Sequence, residues 1–179
     1  MAVFVNTFFE ERVEQLFSLA EVVRKAFDAA GLEYRVVGGL AAYLYVEERE
    51  PDAGRLTKDI DILVRREDLA AIARAVEPFR LHYRHAAGLD MLVQADQPSG
   101  RRAVHMILVD EKALGGYGEI RGIPLVPLLD LVRMKLSSFR LKDQTHLKDM
   151  EEAGLITPEI EAALGPVHRE RLLDLRTRE

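Results

Sequence analysis

The run Thr57-Lys58-Asp59-Ile60-Asp61-Ile62-Leu63-Val64 constrains the fold more than any other part of the chain. Ile60, Ile62 and Val64 alternate with Asp59, Asp61 and Leu63, a period of two that predicts a β-strand with one buried face. Side chains two apart share a face, so Asp59 and Asp61 lie side by side. Adjacent carboxylates repel each other and are poor strand formers. A metal ion removes the conflict, and Mg²⁺ accepts carboxylate and phosphate oxygens together. The plainer alternative is a strand start whose acids turn to water.

Around this strand the pattern alternates between helix and strand. Val13, Leu16, Phe17, Leu19, Ala20, Val23 and Phe27 predict a helix from about Phe8 to Ala30, stopped by Gly31 as a C′ residue. Tyr34 to Val37 is a short β-like run, and Leu40 to Val46 a short helix beginning directly after Gly38-Gly39. Glu47 to Leu56, with Pro51 and Gly54, is a loop. Glu67 to Val76 is a helix closed by Pro78. Phe79–Tyr83 and Asp90–Val93 are weaker strand candidates, and Ala103–Val109 is a stronger one. A turn at Gln97-Pro98-Ser99-Gly100 separates the last two. After the Gly115-Gly116-Tyr117-Gly118 loop and a short segment, Glu119 to Ile123, the chain is helical from Pro127 onward. Breaks fall near Leu141-Lys142, at Gly154–Pro158 and at Gly165-Pro166, and Pro127, Pro158 and Pro166 suit first-turn positions. The sum is a mixed α+β fold with a β-sheet core over 1–125 and a helical C-terminal part over 126–179 packed on it, also readable as one domain.

Composition removes several alternatives. With 179 residues, 48% hydrophobic and a mean hydropathy of −0.07, the chain can bury a core. No apolar run is long enough for a bilayer span. Glu10, Glu11 and Arg12 interrupt the N-terminal apolar stretch too early for a signal peptide, so a cytoplasmic protein is expected. Having no cysteine excludes disulfides, thiolate metal sites and cysteine nucleophiles. The net charge of −5 argues against coating nucleic acid over the whole surface. A local exception lies between Asp130 and Lys148, where Arg133, Lys135, Arg140, Lys142 and Lys148 outnumber Asp130 and Asp143.

Two further features point toward phosphate. Val36-Val37-Gly38-Gly39-Leu40-Ala41 ends a strand in two glycines and starts a helix at once. Glycines let backbone approach a ligand closely, and a helix start offers unpaired N–H groups to an anion. Such turns also arise for purely steric reasons. The helix from Pro127 gathers Leu128, Leu131, Val132, Lys135, Leu136 and Phe139 on one face. Lys135 sits inside that apolar stripe, either snorkelling along its stem or aiming an ammonium into a cleft.

Together these features resemble the nucleotidyltransferase superfamily with the polymerase-β-like palm. The family pattern is an apolar residue, Gly-Gly or Gly-Ser, a spacer, and Asp-x-Asp on a strand. Here it reads Val37-Gly38-Gly39, a long spacer, then Asp59-Ile60-Asp61. Arg55-x-Thr57-x-Asp59-x-Asp61, followed later by Lys135 and Arg140-Leu141-Lys142-Asp143, is similar to AbiEii-like nucleotidyltransferases, which include toxin and antitoxin components. The resemblance covers about Tyr34 to Met150. It implies nucleotidyl transfer from an NTP with Mg²⁺ or Mn²⁺. Asp59 and Asp61 would hold the metal, Gly38 and Gly39 would cradle the triphosphate, and Lys135 would neutralise phosphate charge. Arg55 and Lys142 are further candidate phosphate contacts, and Thr57 could position a phosphate or a metal-bound water. Asp143 is a candidate binding residue or the cap of the next helix. The resemblance also implies an acceptor, RNA, protein or small molecule, and a toxin or antitoxin partner, with no membrane.

Two positions depart from the family pattern. The third acid of active members falls on His105, in the strand Ala103–Val109. An imidazole can take a proton but is a poor Mg²⁺ ligand. Asp110 lies at an odd offset from His105 and faces the other way, while Asp90, on the neighbouring strand, is a second candidate. His146 stands where the AbiEii-like pattern has Asp. The sequence therefore supports an active transferase with His105 as base, or a catalytically weak nucleotide- or partner-binding module of antitoxin type.

Overall fold

Leu16, Ala20, Val23 and Phe27 recur at three- and four-residue steps and are all buried, so the first helix, α1 (Ala2–Ala30), turns one stripe inward. It ends as Gly31 predicts. Gly31 adopts φ +63°, its N–H bonds the Asp28 carbonyl at 3.2 Å, and the Leu32 N–H bonds the Phe27 carbonyl at 2.9 Å. The structure, a computed structural model, describes residues 2–55, 57–96, 103–110 and 114–178, with side chains from Val13 onward. Among the described residues there are seven strands and seven α-helices, the mixed α+β composition expected. None of the described helices is long and apolar enough to cross a membrane.

The chain divides into two compact units, Met1–Val36 with Lys58–Gly115, and Val37–Thr57 with Gly116–Glu179. The first carries α1, α3 (Leu69–Val76) and five strands. These are β1 (Tyr34–Val37), β2 (Ile60–Arg65), β3 (Leu81–Ala86), β4 (Leu89–Gln94) and β5 (Val104–Val109), in the order β3-β4-β5-β2-β1. β2 and β5 run parallel, while β3, β4 and β5 pair antiparallel. Ile60, Ile62 and Val64 of β2 and Val104 and Met106 of β5 share one buried face. α1 packs on α3, which buries Ile72 and Val76.

The second unit holds α2 (Gly38–Arg49), the hairpin β6 (Gly118–Ile120) and β7 (Ile123–Leu125), and four helices. These are α4 (Leu128–Ser138), α5 (Leu141–Glu152), α6 (Pro158–Ala162) and α7 (Pro166–Thr177). α4 buries Leu131, Val132, Lys135 and Leu136, so the expected stripe faces inward with its lysine. α2 packs on α4 and α5, and α4 on α7.

Several boundaries differ from the sequence reading for identifiable reasons. α1 starts before Phe8, because no glycine or proline interrupts residues 2–12. α2 begins on Gly38 itself and runs through Glu47, Glu48 and Arg49, good helix formers that continue until Pro51 approaches. β3 starts two residues later than the run Phe79–Tyr83, because Phe79 ends a short 3-10 turn and Arg80 is left-handed, and β4 extends the run Asp90–Val93 by one residue at each end. They meet at Ala87-Gly88, where both residues have positive φ, a two-residue hairpin turn. β7 is a strand the sequence did not announce; Arg121-Gly122, also both at positive φ, turns it back onto β6. α4 stops at Ser138, and Arg140 caps α5. Pro158 and Pro166 are first helical residues, while Pro127 precedes α4 as its N-cap. The turn expected at Gln97–Gly100 lies outside the described residues.

Candidate functional site

In the first unit the site residues follow from strand register. Asp61 of β2 is level with His105 of β5, and parallel neighbours in register project to the same side. Asp61 Oδ1 and His105 Nδ1 are 3.3 Å apart, with side chains 27% and 24% exposed. A carboxylate only accepts, so the Nδ1–H of His105 donates, and in the neutral ring Nε2 is the acceptor. Asp59 is half-buried and immediately precedes β2, which starts at Ile60. The expected strand therefore holds Asp61, with Asp59 at its entry. Beyond Asp61 the side chains of Ile62, Leu63 and Val64 are buried, whereas Asp59 and Asp61 are only half-buried.

The same register disposes of Asp90. It is level with Met106, and Met91 is level with His105, so Asp90 projects to the face opposite His105. Its carboxylate instead accepts from Tyr83 Oη at 2.7 Å and bonds His85 Nδ1 at 2.8 Å. These two bonds, Tyr83 first, hold Asp90 below the usual carboxylate range. Asp110 is exposed beyond the end of β5. Among the described residues no group of three or more His, Asp or Glu side chains forms a ready metal cage. The donor set at Asp59 and Asp61 fits Mg²⁺ or Mn²⁺ chemically, because both supply oxygen and Mg²⁺ completes its shell with water and phosphate.

In the second unit the glycine turn is tight. Gly38 sits at φ +68°, a conformation that costs a residue with a Cβ about 1–2 kcal/mol. A Cβ on Gly39 would stand 2.5 Å from Thr57 Oγ1 and 2.7 Å from Thr57 Cβ. No side chain caps the first turn of α2, and that turn contains no acid. Gly39→Ala is accordingly expected to cost about 1–3 kcal/mol through overpacking against a stiff β-branched side chain. Added Thr57→Gly should make the double variant lose less than the two single losses combined. Urea midpoints of the three variants measure this. A Gly39→Ala midpoint equal to wild type would show slack in the turn.

The other predicted residues of this unit form a buried polar network. Lys135 and Asp143 have side chains only 4% exposed, with Nζ 3.6 Å from Asp143 Oδ1. Lys135 Nζ also lies 2.9 Å from His146 Nδ1. Asp143 accepts from Ser138 Oγ at 2.7 Å, Arg140 Nε at 2.8 Å and the Arg140 backbone N–H at 3.3 Å. It thus closes the first turn of α5 from its third position rather than as N-cap. Burial works to raise the Asp143 pKa, but the bonds from Arg140 and Ser138 and the Lys135 charge outweigh it and lower it. Arg55 Nε donates to Asp149 at 2.8 Å, with Arg55 65% and Asp149 9% exposed. Lys142 is exposed on α5. Asp149 was not marked by the sequence, since its partner is 94 residues away. A shallow pocket is lined by Ala42, Tyr43, Val46, Arg55, His146 and Asp149.

Burial, followed by the Lys135 charge, pushes the His146 pKa down to about 4. Asp143 and Asp149 act against the shift and Lys142 with it. A depressed histidine pKa means the unfolded chain binds the proton first. Stability is then full above about pH 6.5 and falls as pH drops toward about 4. Discounted for solvent screening at a half-buried ring, the loss should be about 1–2 kcal/mol. Chemical denaturation at pH 7.5, 6 and 5 should show it in the wild type and a smaller loss in His146→Gln; parallel curves would refute the assignment.

No protein-family model matches the sequence, and no curated protein matches it. Solved structures do match. One is an antigenic nucleotidyltransferase-like protein from Paracoccidioides brasiliensis, 16% identical with a TM-score of 0.61 over 92% of this chain and 89% of that one. The antibiotic-resistance factor ANT(2'')-Ia is 15% identical with a TM-score of 0.51, over 93% of this chain and 84% of that one. The Megavirus polyadenylate synthase is 11% identical with a TM-score of 0.61, over 86% of this chain but only 36% of that one. The fold is thus one shared with nucleotidyltransferases.

Proposed function

We propose that this chain is a metal-dependent nucleotidyltransferase, moving a nucleotide from an NTP to a hydroxyl or phosphate acceptor on RNA, protein or a small molecule. The observation that carries the reading is the level pairing of Asp61 with His105 beside Asp59, in a fold shared with nucleotidyltransferases. The neighbours themselves differ in acceptor: one is a polyadenylate synthase, and ANT(2'')-Ia was solved with adenylyl-2''-tobramycin. Arg55-x-Thr57-x-Asp59-x-Asp61 and the later Lys135 with Arg140–Asp143 favour the AbiEii-like subgroup. A toxin or antitoxin partner and a cytoplasmic setting belong to that reading.

In this reading Asp59 and Asp61 hold Mg²⁺ or Mn²⁺. When bound, the ion supplies charge neutralisation at the phosphate oxygens. Gly38 and Gly39 present backbone N–H groups to phosphate, and Thr57, packed against Gly39, fixes that turn. His105 is oriented through Nδ1 by Asp61, so its Nε2 is the atom that takes the acceptor hydroxyl's proton. His105→Ala is expected to lower turnover about 100-fold or more while changing NTP affinity little. His105→Asp, by adding a third oxygen ligand, should tighten Mn²⁺ binding. Intact turnover in His105→Ala would remove it as the base.

The imidazole at the third-acid position favours a second reading, a module that binds nucleotide without turnover. Titration of Mg²⁺ or Mn²⁺ with labelled NTPs separates the two. Label incorporated into any acceptor supports transfer, binding without incorporation supports the module, and neither outcome overturns both.

A further inference from the structure

His105 of the first unit and His146 of the second are wired in opposite senses. His105 meets a carboxylate through Nδ1 and is left with an acceptor at Nε2. His146 meets an ammonium through Nδ1. A lysine ammonium carries only donors, so Nδ1 of His146 accepts and the ring proton sits on Nε2. We propose that His146 is a ligand-contacting residue that donates its Nε2–H to a phosphate oxygen of the nucleotide, with Lys135 as the positioning residue that fixes its tautomer. This inference rests on the nucleotidyl-transfer reading and extends it to a side chain that departs from the sequence pattern. Every residue it invokes lies in the second unit.

Lys135 is an unusually secure positioning group. Its side chain is almost fully buried, and Asp143, equally buried, stands 3.6 Å from its Nζ. Asp143 is itself tied to Ser138 and Arg140. The chain Arg140–Asp143–Lys135–His146 therefore determines which ring nitrogen of His146 carries the proton. The ring stays neutral at pH 7 because burial and the adjacent ammonium both oppose a second proton.

The Nε2–H is the ring's remaining hydrogen-bonding group. Among the described residues no hydrogen bond reaches His146 Nε2, and that atom is not among the buried, unsatisfied polar atoms. His146 lines the shallow pocket with Arg55 and Asp149, whose charges are engaged with each other at 2.8 Å. The imidazole N–H is thus a neutral donor on a wall that also carries Tyr43. Its Cε1, between the two ring nitrogens, lies 3.5 Å from where a Cβ of Gly39 would stand, which puts this ring edge against the glycine turn. An aspartate at this position would place another carboxylate between Asp143 and Asp149 on α5 and would repel a phosphate. A histidine held as the Nε2–H tautomer attracts one.

The test uses the full-length protein labelled with ¹⁵N at histidine. Long-range ¹H–¹⁵N spectra should show His146 as the Nε2–H tautomer, and Lys135→Met should release that preference. Magnesium with a non-hydrolysable NTP should shift the Nε2 resonance. Inorganic tripolyphosphate should shift it too, whereas the nucleoside alone should not. His146→Leu should weaken NTP binding about tenfold, and His146→Gln, which can present an amide N–H in the same direction, should stay within about threefold of wild type. Thermal melts confirm that each variant is folded. An Nδ1–H tautomer in the wild type, a shift with nucleoside but not tripolyphosphate, or unchanged affinity in His146→Leu would overturn the inference and leave nucleotide binding standing. If neither NTP nor tripolyphosphate binds the wild type, the nucleotidyl-transfer reading fails and this inference goes with it.

Discussion

Replacing Asp59 and Asp61 together by Asn is expected to cut metal-dependent nucleotidyl transfer about a thousandfold or more, while leaving the melting temperature within about 3 °C of wild type or above it. The two halves of this expectation come from the same feature. The carboxylates stand at the entry and second position of β2, where their like charges oppose each other. Asn keeps an oxygen to accept from His105 Nδ1, so the register contact survives while the repulsion is removed. What disappears is the paired negative charge that would draw Mg²⁺ or Mn²⁺. Isothermal titration with Mn²⁺ and NTP, set beside a thermal melt, reads both halves. Unchanged Mn-NTP affinity and turnover would put the metal site elsewhere. A melt lowered by many degrees would mean that the acids serve the fold.

The parts of the site that were legible in the sequence are those governed by short periodicity. The alternation through Ile60, Ile62 and Val64 set the face of Asp61, and the alternation through Val104 and Met106 set the face of His105. The structure brings those two faces level. The helical step from Leu128 to Leu136 put Lys135 on the buried stripe, where it is. Less legible was anything set by a partner far along the chain. Arg55 reads in the sequence as a candidate phosphate contact, and nothing near it announces Asp149 as its partner. His146 looked like the loss of an acid, because the ammonium that orients it sits 11 residues earlier on another helix.

Turn chemistry was the other source of error. Two-residue hairpin turns need positive φ at both positions, and the strong sequence signal for them is Asn-Gly or Asp-Gly. Here they are Ala87-Gly88 and Arg121-Gly122. Ala87 and Arg121 are ordinary residues that each accept a left-handed conformation costing about 1–2 kcal/mol. The strand pairs on either side determine the turns, so local propensity could not reveal β7 or the full length of β3 and β4. The fold class survived these misses because it rests on the order of elements.

Lys135→Met should destabilise the protein by about 2–3 kcal/mol, a fall in melting temperature of roughly 5–10 °C for a chain of this size. Met preserves most of the apolar stem, so the packing of Leu131, Val132 and Leu136 around it is retained. The loss is electrostatic: Asp143 would remain buried without its ammonium. It would keep the bonds from Ser138 and Arg140, which is why the expected loss falls short of the roughly 3–5 kcal/mol typical of a fully orphaned charge. Asp143→Asn should be destabilising as well, since it leaves Lys135 buried without its counter-ion. The double variant removes both charges, and its loss should be smaller than the sum of the two by at least about 1 kcal/mol. Strict additivity would show that the 3.6 Å pair carries no coupling. The same variant has a second consequence at His146. Removing the neighbouring charge leaves burial as the main cause depressing its pKa, so the folded-state pKa should rise toward the unfolded value. The window in which acid weakens the protein should therefore narrow, and the stability of Lys135→Met should depend less on pH below about 6.5 than that of the wild type.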